Sequence, residues 1–290
     1  MIVIDKTSYR AVGFDKRIKF LVLHYTQCDF KQSLDFLTGE KLSSHYLIND
    51  ENPEHIFQLV EEHDRAWHAG VSYWQGHERI NDTSIGIEIV NPAFEVNTKN
   101  HNMQLNSQSF RQDEFKSKSA ERTKVREHRL NSKNSPVSSF VNDAVIWLPY
   151  SEAQINSVIS LCKQIIARYD IKPTRVVGHS DIAPGRKQDP GPLFPWKLLY
   201  DNDIGAWYDE QVFNDLLPQI DITDIKAIQQ KFIIYGYKLE ANGILDSKMK
   251  DVIISFQMHF RPSNFSGDLD AETIAILDAL ILKYKSELSN

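Results

Sequence analysis

His179, Lys187 and Asp189 place an imidazole, an ammonium and a carboxylate in one irregular loop, Gly178-His179-Ser180-Asp181-Ile182-Ala183-Pro184-Gly185-Arg186-Lys187-Gln188-Asp189-Pro190-Gly191. His179 and Asp189 offer nitrogen and oxygen donors that suit a metal such as zinc. Lys187 is no ligand while protonated, but it can stabilise an oxyanion that forms beside one. A catalytic zinc site uses three protein ligands and keeps one position open for water, so two ligands are not enough.

The flanking elements supply the rest. Arg175-Val176-Val177 reads as a short buried strand that feeds the loop. Ile18-Lys19-Phe20-Leu21-Val22-Leu23 reads as another, with His24 at its C-terminal end. Two histidines at strand ends converge if their strands are neighbours in one sheet. In Ser84-Ile85-Gly86-Ile87-Glu88-Ile89-Val90 the isoleucines alternate onto one face and Glu88 points to the other. A carboxylate in so apolar a strand is costly unless it is paired, near a metal or facing a wet cleft. Glu88 is therefore the candidate base that takes a proton from water.

Several stretches match, in order and spacing, the zinc-dependent N-acetylmuramoyl-L-alanine amidases that share a fold with peptidoglycan recognition proteins. They are Val22-Leu23-His24-Tyr25-Thr26, Ser43-Ser44-His45-Tyr46-Leu47-Ile48, Ala66-Trp67-His68-Ala69-Gly70, Asn81-Asp82-Thr83-Ser84-Ile85-Gly86-Ile87-Glu88, the His179 to Gly191 loop and Phe194-Pro195-Trp196. The resemblance implies that His24, His179 and Asp189 hold zinc, that Glu88 is the general base and that Lys187 stabilises the tetrahedral oxyanion. It implies cleavage of the amide between the lactyl group of N-acetylmuramic acid and L-alanine, in peptidoglycan or muropeptides. With that ligand set complete, His45 and Cys28 read as packing residues. Trp67 and His68 are candidates to line the substrate cleft, with core packing as the alternative, and Arg186 to meet a stem-peptide carboxylate or else to face water. His55, His63, His77, His101, His128 and His259 carry no comparable motif. Two other function classes stay open: a non-catalytic peptidoglycan receptor, and a zinc peptidase cutting within the stem peptide.

The expected fold is α/β, a mixed central β-sheet flanked by helices, with a small all-α C-terminal domain. Ser151-Glu152-Ala153-Gln154 has capping-box spacing, and Ile155, Val158, Ile159, Cys162, Ile165, Ile166 and Tyr169 follow at helical spacing. The catalytic domain is expected over 1–210, interrupted by a polar, basic insertion at 97–143 that reads as a surface excursion, with a flap beside the cleft as the alternative. Residues 221–285 read as a helical module similar to the peptidoglycan-binding domains appended to such amidases; its aromatics are expected in the core.

With 290 residues, 41% hydrophobic and 25% charged, the chain can bury a globular core. A net charge of -6 argues against a general nucleic-acid binder, and 2 cysteines exclude a disulfide scaffold. No run is long and apolar enough for a transmembrane helix. Met1-Ile2-Val3-Ile4-Asp5-Lys6 does not read as a secretory signal. The expected location is the cell envelope or periplasm if an export segment has been removed, with the cytoplasm as the alternative. A monomer is expected.

Overall fold

The computed structural model describes residues 2–9, 11–96 and 145–288; the polar stretch at 97–143 lies outside them. Its strands are β1 (Phe20–Tyr25), β2 (Tyr46–Ile48), β3 (Ile56–Gln58), β4 (Tyr73–Trp74), β5 (His77–Glu78), β6 (Ser84–Ile89), β7 (Phe94–Val96), β8 (Val145–Trp147) and β9 (Val176–Gly178). The central sheet has five strands in the order β3-β2-β6-β1-β9. Its β2, β6, β1 and β9 run parallel and β3 is antiparallel to β2, so the sheet is mixed.

Strands β1 and β6 are almost wholly buried, as a parallel strand covered on both faces must be. Leu21, Leu23, Ile85, Ile87 and Ile89 share one face by register. They share a core with Ile155, Val158, Cys162 and Ile165 of helix α2 (Glu152–Tyr169). Each such side chain stabilises the fold by about 1.5–3 kcal/mol. Ser151 caps α2 in the expected box with Gln154. The opposite face carries Phe20, Val22 and His24 on β1 beside Ser84, Gly86 and Glu88 on β6. Beyond β2, Leu47 and Val90 pack with Leu37 of helix α1 (Phe30–Leu37).

Beyond β9 lie α3 (His179–Ile182), α4 (Trp196–Tyr200) and α5 (Glu210–Leu216). The C-terminal region follows as α6 (Ile225–Tyr235), α7 (Ser247–Phe260) and α8 (Ala271–Lys283), with Asp224, Asp246 and Asp270 as their N-caps. Tyr235, Phe256 and Phe260 are buried in the same core cluster as Trp74 and Trp207. These aromatics are therefore packing residues and present no stacking surface to a sugar.

Candidate active site

Parallel pairing decides what meets at the carboxyl end of the sheet. His24 lies opposite Glu88 in the β1–β6 register, and Leu23 lies opposite Gly178 on β9. His179 follows Gly178 directly, so Glu88, His24 and His179 leave three adjacent strands side by side. This is the edge where open α/β sheets bind ligands. Asp189 returns to it because its carbonyl accepts the Ser180 N–H at 2.9 Å. Gly178 permits that approach: a Cβ there would stand 2.7 Å from Pro190 Cδ.

Three donor atoms converge. His24 Nδ1 is 3.0 Å from His179 Nδ1, and Asp189 Oδ2 is 2.8 Å from the first and 2.9 Å from the second. Among the described residues these three form the group able to hold a metal ion, and all are buried. Tetrahedral ligands at zinc bond lengths stand about 3.3 Å apart, a few tenths of an ångström wider than this triangle.

The far side of each ring explains why the lone pairs point inward. His179 Nε2 lies 3.0 Å from Ala69 O and 3.3 Å from Arg186 Nη2; when it carries the ring proton and donates it to Ala69 O, a neutral His179 has a bare Nδ1. His24 Nε2 meets His68 Nδ1 at 3.0 Å, and His68 Nε2 meets Ser84 Oγ at 3.1 Å. When His24 and His68 donate along this chain, His24 Nδ1 is bare as well. Such outer partners fix tautomer and orientation in metal sites.

Electrostatics agree. Burial pushes the His179 imidazole down to about 3, which keeps it neutral. Burial also pushes His68 well below its ordinary value, with His24 adding to the effect. Burial raises the Asp189 carboxyl, but His179, His24 and the nearby Lys187 ammonium outweigh it and hold the group well below the usual range. The Tyr25 phenol is pushed well up, by burial first and then by the charges of Asp189 and Glu88. The charges of both carboxylates therefore act on one buried phenol.

The remaining candidates fall in different places. Trp67 stays 45% exposed, its ring covered by the Arg65 guanidinium at 4.1 Å, where it can border a cleft. His68 takes the alternative of core packing and is buried behind His24 against Gly86. Arg186 was expected to meet a substrate carboxylate. Its Nη2 donates to Ala69 O and Val71 O at 2.8 and 2.7 Å, tying the loop over His179. His45 is a buried packing residue whose Nδ1 accepts the Gly86 N–H at 3.0 Å. The Cys28 thiol turns to Thr26 O and Ser33 Oγ, both at 3.4 Å, away from the triad. The supporting place of His68 was not legible: only the missing Cβ of Gly86, a strand neighbour, lets its ring lie there.

A buried His-His-Asp triad at the carboxyl edge of a mixed sheet, with a carboxylate on the adjacent strand, defines a candidate metal-dependent hydrolase centre. Comparison with known proteins narrows the class. Residues 14–192 match the N-acetylmuramoyl-L-alanine amidase family, and residues 222–277 match a putative peptidoglycan binding domain. The chain is 40% identical over 297 residues to the N-acetylmuramoyl-L-alanine amidase AmiD of Escherichia coli (strain K12), covering 97% of this chain and 91% of that one. AmiD from E. coli, solved with anhydro-N-acetylmuramic acid-L-Ala-D-gamma-Glu-L-Lys, superposes with TM-score 0.76 at 38% identity, over 96% of this chain and 94% of that one. AmpDH3 from Pseudomonas aeruginosa, solved with an anhydromuramic pentapeptide, superposes with TM-score 0.76 at 39% identity, over 98% and 99%. This chain belongs to the N-acetylmuramoyl-L-alanine amidase family.

Proposed function

We propose that the chain hydrolyses the amide bond between N-acetylmuramic acid and L-alanine in muropeptides, with zinc held by His24, His179 and Asp189. The observation that carries this reading is the inward-facing triangle of Nδ1, Nδ1 and Oδ2, with separations of 2.8–3.0 Å. Two bare imidazole nitrogens and a carboxylate oxygen so close together suit a cation. When bound, zinc supplies a Lewis acid that polarises the scissile carbonyl and lowers the pKa of water to about 7.

The chain's own residues do the rest. Glu88, beside His24 in the register, accepts the proton of the attacking water and returns it to the departing amine of L-alanine. Lys187, whose charge is felt at both His179 and Asp189, stabilises the oxygen that becomes negative in the tetrahedral state. His68 and Ala69 O keep the two ligand rings turned inward. Trp67, exposed at the rim, borders the bound glycopeptide.

Mass spectrometry of the products from a purified anhydromuropeptide tests the reading. A released stem peptide with a free L-alanine amino terminus is expected. Cleavage inside the peptide would replace the bond assigned here. Binding without any product from zinc-loaded protein would replace the enzyme by a receptor.

A further inference from the structure

His259 carries no sequence motif, yet it is 4% exposed beneath the loop that holds His179 and Asp189. The link is Asp181, 2% exposed in the single turn α3 that starts at His179. Asp181 Oδ2 accepts the Gly178 N–H at 2.7 Å and so closes the turn that aims His179. The same oxygen accepts from His259 Nδ1 at 2.8 Å, and Oδ1 accepts from the Tyr237 hydroxyl at 3.0 Å. Both of these donors come from the C-terminal helical region.

The donors are themselves fixed. The His259 ring stacks on Trp196 with centroids 3.8 Å apart, and Tyr237 meets Trp74 edge-on at 4.8 Å. The crevice lined by Trp74, Val177, Asp181, Tyr235, His259 and Phe260 has no room for a water molecule. Water has no room there beside Asp181 and His259, and a buried carboxylate that loses a donor without replacement must move or stay unsatisfied. On the other side of the turn, Ser180 N–H holds the Asp189 carbonyl at 2.9 Å. One connected path thus runs from the C-terminal helices through Asp181 to two members of the triad.

We infer that the C-terminal helical region braces the metal-binding loop through Asp181, with Tyr237 and His259 as positioning residues for His179 and Asp189. This rests on the metal site proposed above. Ligands must be held to within about half an ångström, and a turn that loses a buried partner no longer does so. The contribution of this region to catalysis then includes ligand geometry, apart from any hold on a polymer.

The test uses the full chain as Tyr237→Phe and His259→Gln, with Lys238→Ala as control. Lys238 makes a different contact between the same regions, an exposed pair with Glu78 at 2.6 Å. Two quantities are read: zinc loss to a chelator, and amide hydrogen exchange over residues 178–191 in metal-free protein. The brace predicts roughly tenfold faster zinc loss in both test variants. It also predicts faster exchange at Gly178 and Ser180, with the control like wild type in both. If both variants matched wild type in zinc loss and exchange, whatever their melting temperature, the brace would be overturned. Tyr237→Phe removes only a hydroxyl and decides the matter alone if His259→Gln does not fold. The exchange arm contains no metal. A wild type that takes up no zinc would therefore defeat the site reading and still leave the brace open to its own refutation.

Discussion

Gly86 sets how closely His68 can stand behind His24. A Cβ at Gly86 would lie 2.5 Å from His68 Cγ and 2.6 Å from its Nδ1, the atom that meets His24. The ring is buried and cannot swing to solvent. Gly86→Ala should therefore push the imidazole off His24, cost about 1–3 kcal/mol of stability and weaken zinc binding roughly tenfold or more. Urea unfolding and chelator competition read the two effects; unchanged zinc affinity would mean that His68 does not orient His24. At this scale the sequence was partly legible. His24, Glu88 and His179 could be picked out because each ends or interrupts an apolar strand. The supporting roles of His68, Asp181 and His259 could not, because their partners are set by tertiary approach. His68 depends on the bare Gly86 face, and His259 acts from the end of a helix remote in sequence.

Elements are tied to one another by a second polar cluster on the far side of the sheet. Glu62 accepts hydrogen bonds from Tyr46 on β2 at 2.8 Å, and from Tyr169 at 2.9 Å and Arg168 Nε at 3.0 Å in the last turn of α2. Burial raises the Glu62 carboxyl, but Arg168 and the two phenols outweigh it and hold it below its ordinary value of 4.5. A depressed carboxyl contributes stability that is complete above the unfolded value and is lost as the pH falls through the folded one. Glu62→Gln should thus lower stability by on the order of 1–2 kcal/mol at pH 7, with the gap to wild type narrowing once the pH drops below about 4.5. Denaturant midpoints at pH 7 and pH 4 measure it, and an equal gap at both would refute the linkage. The capped helix α2 was legible from Ser151, Gln154 and the apolar spacing, as were β1 and β6 from their runs of Ile, Leu and Val. The short β3, β4 and β5 were not: two or three residues show no period, and pairing alone makes them strands.

Across the whole molecule, the catalytic and C-terminal regions share one buried core. Trp74 and Ile182 belong to the same cluster as Tyr235, Phe256 and Leu277. Lys283 Nζ and Tyr284 Oη add hydrogen bonds to Trp207. Regions joined this way should unfold together, so calorimetry of the full chain should show a single transition with equal calorimetric and van't Hoff enthalpies. Two resolved transitions would contradict the shared core. The sequence showed the C-terminal helices as a module over 221–285 with its aromatics in the core. It did not show that their aromatic face closes on the amidase, since a buried face looks the same whichever surface covers it. In the proposed reaction Glu88 moves the proton, and a metal held by His24, His179 and Asp189 is required. The most direct measurement is turnover of anhydromuropeptide by Glu88→Gln, with zinc content determined on the same sample. One zinc per chain is expected, as in wild type, with turnover lower by about 10²–10⁴. Wild-type turnover by Glu88→Gln at full zinc content would contradict it.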